Sequence, residues 1–368
     1  MVKRARTLAS LAAELGVSRT TVSNAYNHPD QLSVELRERI LQAAAELGYP
    51  GPDPMARSMR TRRVGSLGVL LTEHLSYAFE DAASVDFLAG LAEATSGGES
   101  ALTLIPAGPS EQDASALVGR AVVDGIVVYS VAEGDPHLAA ARARQVPLVV
   151  CDQPKGLDVP FVGIDDREAI RPAARALLGA GHTRIGILSI RLHREHHDGA
   201  VDTTRLPAAS LHVQRDRVLG ALEEFAAAGI TDVPVVTRHI NDHATCLSAA
   251  EELLTAHPGL TAVLCTTDSM ALGVLEYARD HGIDVPADLS VTGFDGIRTA
   301  LIMGLSTVIQ PNRAKGEAAG RMLADLIDAH LADAPPPSPA PREILTTTFH
   351  AGQTVSAPRT AGPVPRRP

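Results

Sequence analysis

Between Thr7 and Asn27 the chain reads TLASLAAELG and then VSRTTVSNAYN, and no other stretch restricts the possible folds as much. Leu8, Leu11, Ala12 and Leu15 recur at i, i+3, i+4 and i+7, which makes one apolar face of a short helix with Thr7 as its N-cap. Gly16 breaks the run. Ser18 supplies a second N-cap, for a helix from about Arg19 to Tyr26 that buries Val22 and Ala25. Two short helices joined by a tight glycine-containing turn form a helix-turn-helix. The second helix exposes Arg19, Thr20, Thr21, Ser23 and Asn24, all hydrogen-bonding side chains, as a helix reading base edges and phosphates in a major groove requires. A capped helical hairpin with a solvated polar face is the simpler alternative.

The following residues favour DNA. Ser33 caps a third helix with Leu36, Ile40, Ala44 and Leu47 on one face, and Gly48 ends it. Next comes GPDPMARSMRTRR, a short candidate helix among prolines and four arginines, Arg57, Arg60, Arg62 and Arg63. With these motifs in this order, GVSRTTVSNAYN, the third helix ending in ELGY and the ARSMR segment, the chain resembles the lactose-repressor (LacI-type) family of bacterial transcription regulators. The resemblance extends through almost all of it.

Charge fits once it is divided. The net charge is −10, yet residues 1–63 hold ten Lys/Arg against six Asp/Glu, a surplus of +4. A basic head on an acidic body directs phosphate attraction to one end. No apolar run reaches the roughly 18 residues of a membrane span, and the start lacks the apolar region of a secretory signal. A cytoplasmic protein is expected. Cys151, Cys246 and Cys265 show no metal or redox spacing and read as reduced core residues.

From Val64 onward, near-continuous apolar strands alternate with helices in two series, which predicts parallel sheets covered on both faces. The first has strands at Ser66–Leu71, Ala101–Pro106, Gly125–Tyr129 and Leu148–Cys151, the second at Arg184–Leu188, Val233–Thr237, Ala262–Cys265 and Leu289–Phe294. The expected α/β fold is a three-helix head plus hinge helix joined to a two-lobed core of two doubly wound sheets. The family implies the same periplasmic-binding-protein-like lobes. Expected domains are 1–52 for the head, 53–63 for the hinge, 64–350 for the core and 351–368 for a disordered tail. Within the core, lobe 1 spans about 64–162 and 296–338, and lobe 2 about 163–295 and 339–350. Crossings between the lobes are expected near Phe161–Ile164, Phe294–Gly296 and Gln310–Asn312.

Ligands of such sheets bind at the carboxyl ends of the strands, here between the lobes. Asp295 ends LSVTGFD, where a carboxylate can accept from a polyol or an amine, and GFDG matches the family motif whose aspartate contacts effector. Arg217 in RDRVLGAL also fits the family pattern, and its planar fork suits hydroxyls or carboxylates. Thr267 and Asp268 in CTTDSMALG align with the strand-end segment where the family commonly has Asn-Asp, so the threonine is a departure. Asp152 in VVCDQP is a further candidate. Tyr77 and Phe79, in a chain with 3% aromatics, could stack on a sugar or base or pack in their loop.

Residues 191–212 form a long polar insertion, read as a solvated loop near the cleft. Its His193, His196 and His197 match neither HExxH nor HxxEH, which disfavours a metal. REILTTTF reads as a last strand. There is no GxSxG, GxGxxG or Walker-type motif, so an enzymatic or solute-binding protein with an incidental helical head is the weaker reading.

The resemblance implies a homodimer on a roughly palindromic operator, with Arg19, Thr20 and Asn24 at base edges and Thr21 and Ser23 on phosphates or packed. The hinge would fold on DNA and wedge Met59, where the family usually has leucine, into the minor groove, with Arg57 and Arg60 on phosphates. A sugar is the family's default effector and no cofactor is expected; a nucleoside effector or an activating role is the alternative. Repression is the expected output, because a bound dimer blocks polymerase without needing a surface to contact it.

Overall fold

The computed structural model describes residues 7–51, 58, 59, 61–71, 75–95, 100–106 and 114–359. They fall into two compact units, Met1–Gly65 and Ser66–Pro368.

The head holds α1 (Leu8–Leu15), α2 (Arg19–Asn27) and α3 (Val34–Leu47). Thr7 caps α1 through a reciprocal pair with Ser10, and the Ser18 hydroxyl accepts from the Thr21 N–H at 2.9 Å. Gly16 ends α1 at φ 66°, a left-handed turn that costs glycine little, and its N–H reaches the carbonyls of Ala12 and Ala13. Leu11, Val22, Ala25, Ile40 and Ala44 form the core, closed by Tyr49 with its ring edge-on to Tyr26. Arg37 Nε donates to the Ala25 carbonyl at 3.3 Å and fastens α3 to the last turn of α2. Residues 58, 59 and 61 are helical, and Met59 is 81% exposed. Arg57 and Arg60 lie outside the described residues.

In the core the strands are, in chain order, β1 (Ser66–Leu71), β2 (Ala101–Pro106), β3 (Gly125–Tyr129), β4 (Leu148–Cys151), β5 (Phe161–Gly163) and β6 (Ile185–Ile190). They continue with β7 (Gly199–Ala200), β8 (Val235–Arg238), β9 (Ala262–Cys265), β10 (Ser290–Asp295), β11 (Ser306–Ile309), β12 (Arg342–Ile344) and β13 (Thr348–His350). The first sheet runs β12-β5-β4-β3-β1-β2 and is parallel throughout. The second runs β13-β11-β10-β9-β6-β8-β7, with only the edge strands β13 and β7 antiparallel. β1, β3, β4, β9 and β10 are buried along their whole length, which is why they read as unbroken apolar runs.

Several expectations need correction. β11 belongs to the second sheet, so 296–309 stays in lobe 2 and no crossing occurs at 294–296. REILTTTF is not one strand. β12 joins the first sheet and β13 the second, so 342–344 belongs to lobe 1 and the last crossing is 345–347. The insertion is not a solvated loop: Leu192, Leu206, Ala209 and Leu211 are buried, and β7 within it pairs with β8. Residues 351–359 are ordered, since Thr354 bonds Val291 and Ser306 and the Ser356 carbonyl meets His182 Nε2 at 2.8 Å. Residues 360–368 lie outside the described residues.

On the first sheet, helix Asn312–Leu331 packs against helix Ala82–Thr95 at backbone distance. A Cβ at Gly316 would lie 2.1 Å from the Phe87 carbonyl oxygen, and one at Gly90 would lie 1.9 Å from that of Arg313. Both clashes are with backbone, so neither helix can yield locally. Gly316→Ala is therefore expected to lower core stability by about 1–3 kcal/mol or more, read as a lower urea midpoint. An unchanged midpoint would contradict this packing.

Candidate functional site

Between the lobes lies a cavity walled by strand ends. Leu71, Tyr129, Ser130 and Asp152 come from the first lobe, Arg191, Thr267 and Asp295 from the second, and Gln310 from the crossing. Helix Ala82–Thr95 contributes Ser84, which with the neighbouring Asp81 faces Gln214 and Arg217 of helix His212–Ala227. Ser130, Asp152 and Asp295 hold positive φ, at 55°, 68° and 121°. Non-glycine residues are rarely held so, and such backbone concentrates at ligand sites.

Arg217 is 5% exposed and stacks its guanidinium 3.7 Å from the Phe294 ring centroid. Its Nε donates to Asp166 Oδ1 at 3.0 Å, and Nη1 donates to the Thr266 carbonyl at 2.9 Å and reaches Asp295 Oδ1 at 3.5 Å. Gln310 Nε2 also donates to that Oδ1, at 2.6 Å. Arg217 Nη2 and Asp295 Oδ2 make no hydrogen bond among the described residues. A strong donor and a strong acceptor thus stand side by side, rigidly held. Burial pushes the Asp295 carboxyl well above its usual range, against the pull of Arg217.

Asp152 lines the cavity with both oxygens on Lys315 Nζ, at 2.9 and 2.8 Å. Thr267 caps helix Asp268–Asp280, and its hydroxyl donates to Asn241 Oδ1 at 3.3 Å.

Asp268 does not face the cavity. It is fully buried, Oδ1 accepting from Thr307 Oγ1 at 2.5 Å and Oδ2 from the Ile297 N–H at 2.8 Å. Gly293 makes this possible, since a Cβ there would sit 2.3 Å from Asp268 Oδ1. Asp268 therefore clamps the turn after β10 instead of meeting ligand. Phe79 is 58% exposed and is not among the lining residues, and the side chain of Tyr77 lies outside the described residues. Asp81, Ser84, Arg191, Gln214, Asn241 and Gln310 line the cavity without having stood out in the sequence, where no apolar period marks them.

The two lobes also bond directly. Gln153 Oε1 accepts from the Val213 N–H at 2.9 Å, Lys155 Nζ lies 3.0 Å from both Asp166 and Asp216, and His212 Nε2 lies 3.1 Å from Glu133. Although burial opposes it, Lys155 holds the Asp216 carboxyl below its ordinary value, so the pair stays ionised at neutral pH. In the insertion, His196 lies 3.9 Å from Asp198, and no group of described residues could hold a metal ion.

In the head, Arg19 and Thr20 are exposed and make no side-chain hydrogen bond among the described residues. Thr21 Oγ1 bonds Ser18 Oγ at 2.8 Å, Ser23 accepts from Asn27 Nδ2 and Asn24 Nδ2 donates to Gln31 at 2.9 Å. Of Arg19, Thr20, Thr21, Ser23 and Asn24, the last three are thus engaged locally.

Burial raises Asp268 to about 6. In the unfolded chain it titrates near 3.8, so the folded state holds the extra proton between these values and stability falls as pH rises through them. Compared with wild type, Asp268→Asn should gain relative stability across that window, measured by urea unfolding at stepped pH. A difference that stays flat with pH would refute the assignment.

Residues 7–51 match the family described as "Bacterial regulatory proteins, lacI family", and residues 174–355 match a "Periplasmic binding protein-like domain". The HTH-type transcriptional regulator IpsA of Corynebacterium glutamicum is 56% identical over 357 residues, covering 95% of this chain and 97% of that protein. A crystal structure of a LacI-family transcriptional regulator from Corynebacterium glutamicum superposes with a TM-score of 0.74 at 52% identity, covering 96% of this chain and 100% of that one. A complex of the transcriptional regulator CelR with cellobiose superposes with a TM-score of 0.68 at 26% identity, over 95% and 99% of the two chains. No helix among the described residues is long and apolar enough to cross a membrane.

Proposed function

The chain belongs to the lacI family of bacterial regulatory proteins, which are DNA-binding transcriptional regulators, and on that footing we propose a homodimeric repressor whose operator affinity is set by a neutral polyhydroxy effector between the lobes. The observation that carries the effector assignment is the Arg217–Asp295 pair. Nη2 and Oδ2, which no described residue bonds, leave this pair with hydrogen-bonding capacity to spare, while Thr267, Asn241 and Gln214 add neutral hydrogen-bonding groups in the same wall. Sugar hydroxyls, each both donor and acceptor, satisfy such a wall. The neighbouring cellobiose complex supports a sugar as well.

A nucleoside is less well served. One face of Tyr129 is stacked on Phe87 at 4.0 Å and the residue is only 8% exposed, so the ring offers a base little surface to stack on.

Pairing of two chains is supported by exposed apolar side chains on both lobes, Phe79 and Val85 on the first, Ile302 and Met303 on the second. Arg19, Thr20 and Asn24 are the proposed base-edge contacts, with Asn24 exchanging Gln31 for DNA. Thr7, Ser18, Thr21 and Ser23 hold helix ends or turn toward phosphates, where Arg57 and Arg60 join them. Met59 is the proposed wedge at a base step. Effector bound across Arg217, Asp295, Thr267 and Asp152 would favour closed lobes, and closure would bias how the paired chains present the hinge.

The test is an operator titration by fluorescence anisotropy with sugars and polyols added. One neutral compound should release the DNA. Arg217→Lys, which keeps a cation between Asp166 and Asp295 but loses the planar fork, should weaken that compound's effect by at least about tenfold while leaving ligand-free operator binding intact. Loss of operator binding itself would instead mark Arg217 as structural. In the head, Arg19→Ala should cost about 1–3 kcal/mol on the specific site, and Met59→Ala should weaken specific binding far more than non-specific. Equal losses on both DNAs would sink the wedge.

A further inference from the structure

Lys315 lies in the first turn of helix Asn312–Leu331 and is 1% exposed. Its ammonium donates to both oxygens of Asp152 and, at 2.9 Å, to Gln310 Oε1. It is not among the residues that line the cavity, so it stands one layer behind the wall. Two consequences follow. With Oε1 on Lys315, the Gln310 amide can only turn Nε2 toward Asp295. Asp152 is also matched in charge, since among the described residues its ion-pair partner is the hidden Lys315.

We propose that Lys315 is the specificity-determining residue that sets the charge class of the effector, keeping the site selective for neutral compounds by neutralising Asp152 from behind. This rests on the cavity being the effector site. A buried charge without a partner is strongly disfavoured, so with Asp152 and Lys315 already paired this wall offers no free counter-charge to an amine or an acid. Take Lys315 away and Asp152 becomes an unpaired carboxylate in the wall, which an ammonium would satisfy. Take Asp152 away and Lys315 becomes an unpaired cation, which a carboxylate would satisfy.

The experiment is calorimetric titration of the full chain with neutral hexoses, disaccharides and alditols. The amino-deoxy and uronic-acid analogues of whichever compound binds are then tested, on wild type, Lys315→Met, Asp152→Asn and the double variant. Wild type should prefer the neutral compound by at least about tenfold. Lys315→Met should reverse that preference toward the amine, Asp152→Asn should shift it toward the acid, and the double variant should return to the neutral compound. A residue with only a structural role would weaken all three ligands together, and that outcome overturns the proposal. If Lys315→Met does not fold, the Asp152→Asn and double-variant ratios decide alone. If wild type binds none of the three classes, the effector reading itself fails and this proposal with it.

Discussion

Arg217 is the point on which the core's electrostatics turn. Its guanidinium is buried, flat against Phe294, and held between Asp166 on the crossing into lobe 2 and Asp295 at the end of β10. From there bonds run one way through Gln310 and Lys315 to Asp152 in the first lobe, and the other way through Asp166 and Lys155 to Asp216. Burying so many ions is tolerable only because each has partners, and removing any one strands its neighbour. The wall of the cavity is therefore rigid for an electrostatic reason as much as for packing.

The same arrangement explains what could be read from the sequence. Strands such as β3 and β10 are buried on both faces, so composition alone marks them, and the caps of α1 and α2 are local chemistry within four residues. Which sheet a strand joins is not local. β11 and β12 have four and three residues, too few for a period, and β12 pairs with the distant β5 and not with a strand near it in the chain. The two strands swapped the expected lobes.

Site residues divide along the same line. Arg217 and Asp295, picked out through family motifs, do line the cavity, Asp295 at the end of β10 and Arg217 in the second turn of its helix. Thr267 and Asp268 are adjacent at a helix start, yet one faces the cavity and the other the interior, a difference of side-chain direction that spacing does not encode. Lys315 was invisible, since a helical lysine normally reaches solvent and its partner Asp152 is 163 positions away. The insertion misled for a related reason: Leu192, Leu206 and Leu211 are apolar anchors without a repeat.

The crossings have a mechanical consequence. Residues just after β5 run beside the start of the 345–347 link, where the Leu345 N–H meets the Gly163 carbonyl, and β11 leads into Gln310 beside β13. In the first sheet two connections meet β5 and β12, in the second two meet β11 and β13, and β2 and β7 form the opposite edges. Tethers weighted toward the β12 and β13 side would oppose sliding of the lobes more than bending about that side. Displacement then grows with the lever arm and is greatest at β2 and β7. The insertion that carries β7 rides where small rotations become large movements, so chain length added there alters the width of the entrance while leaving the bonds near the axis in place.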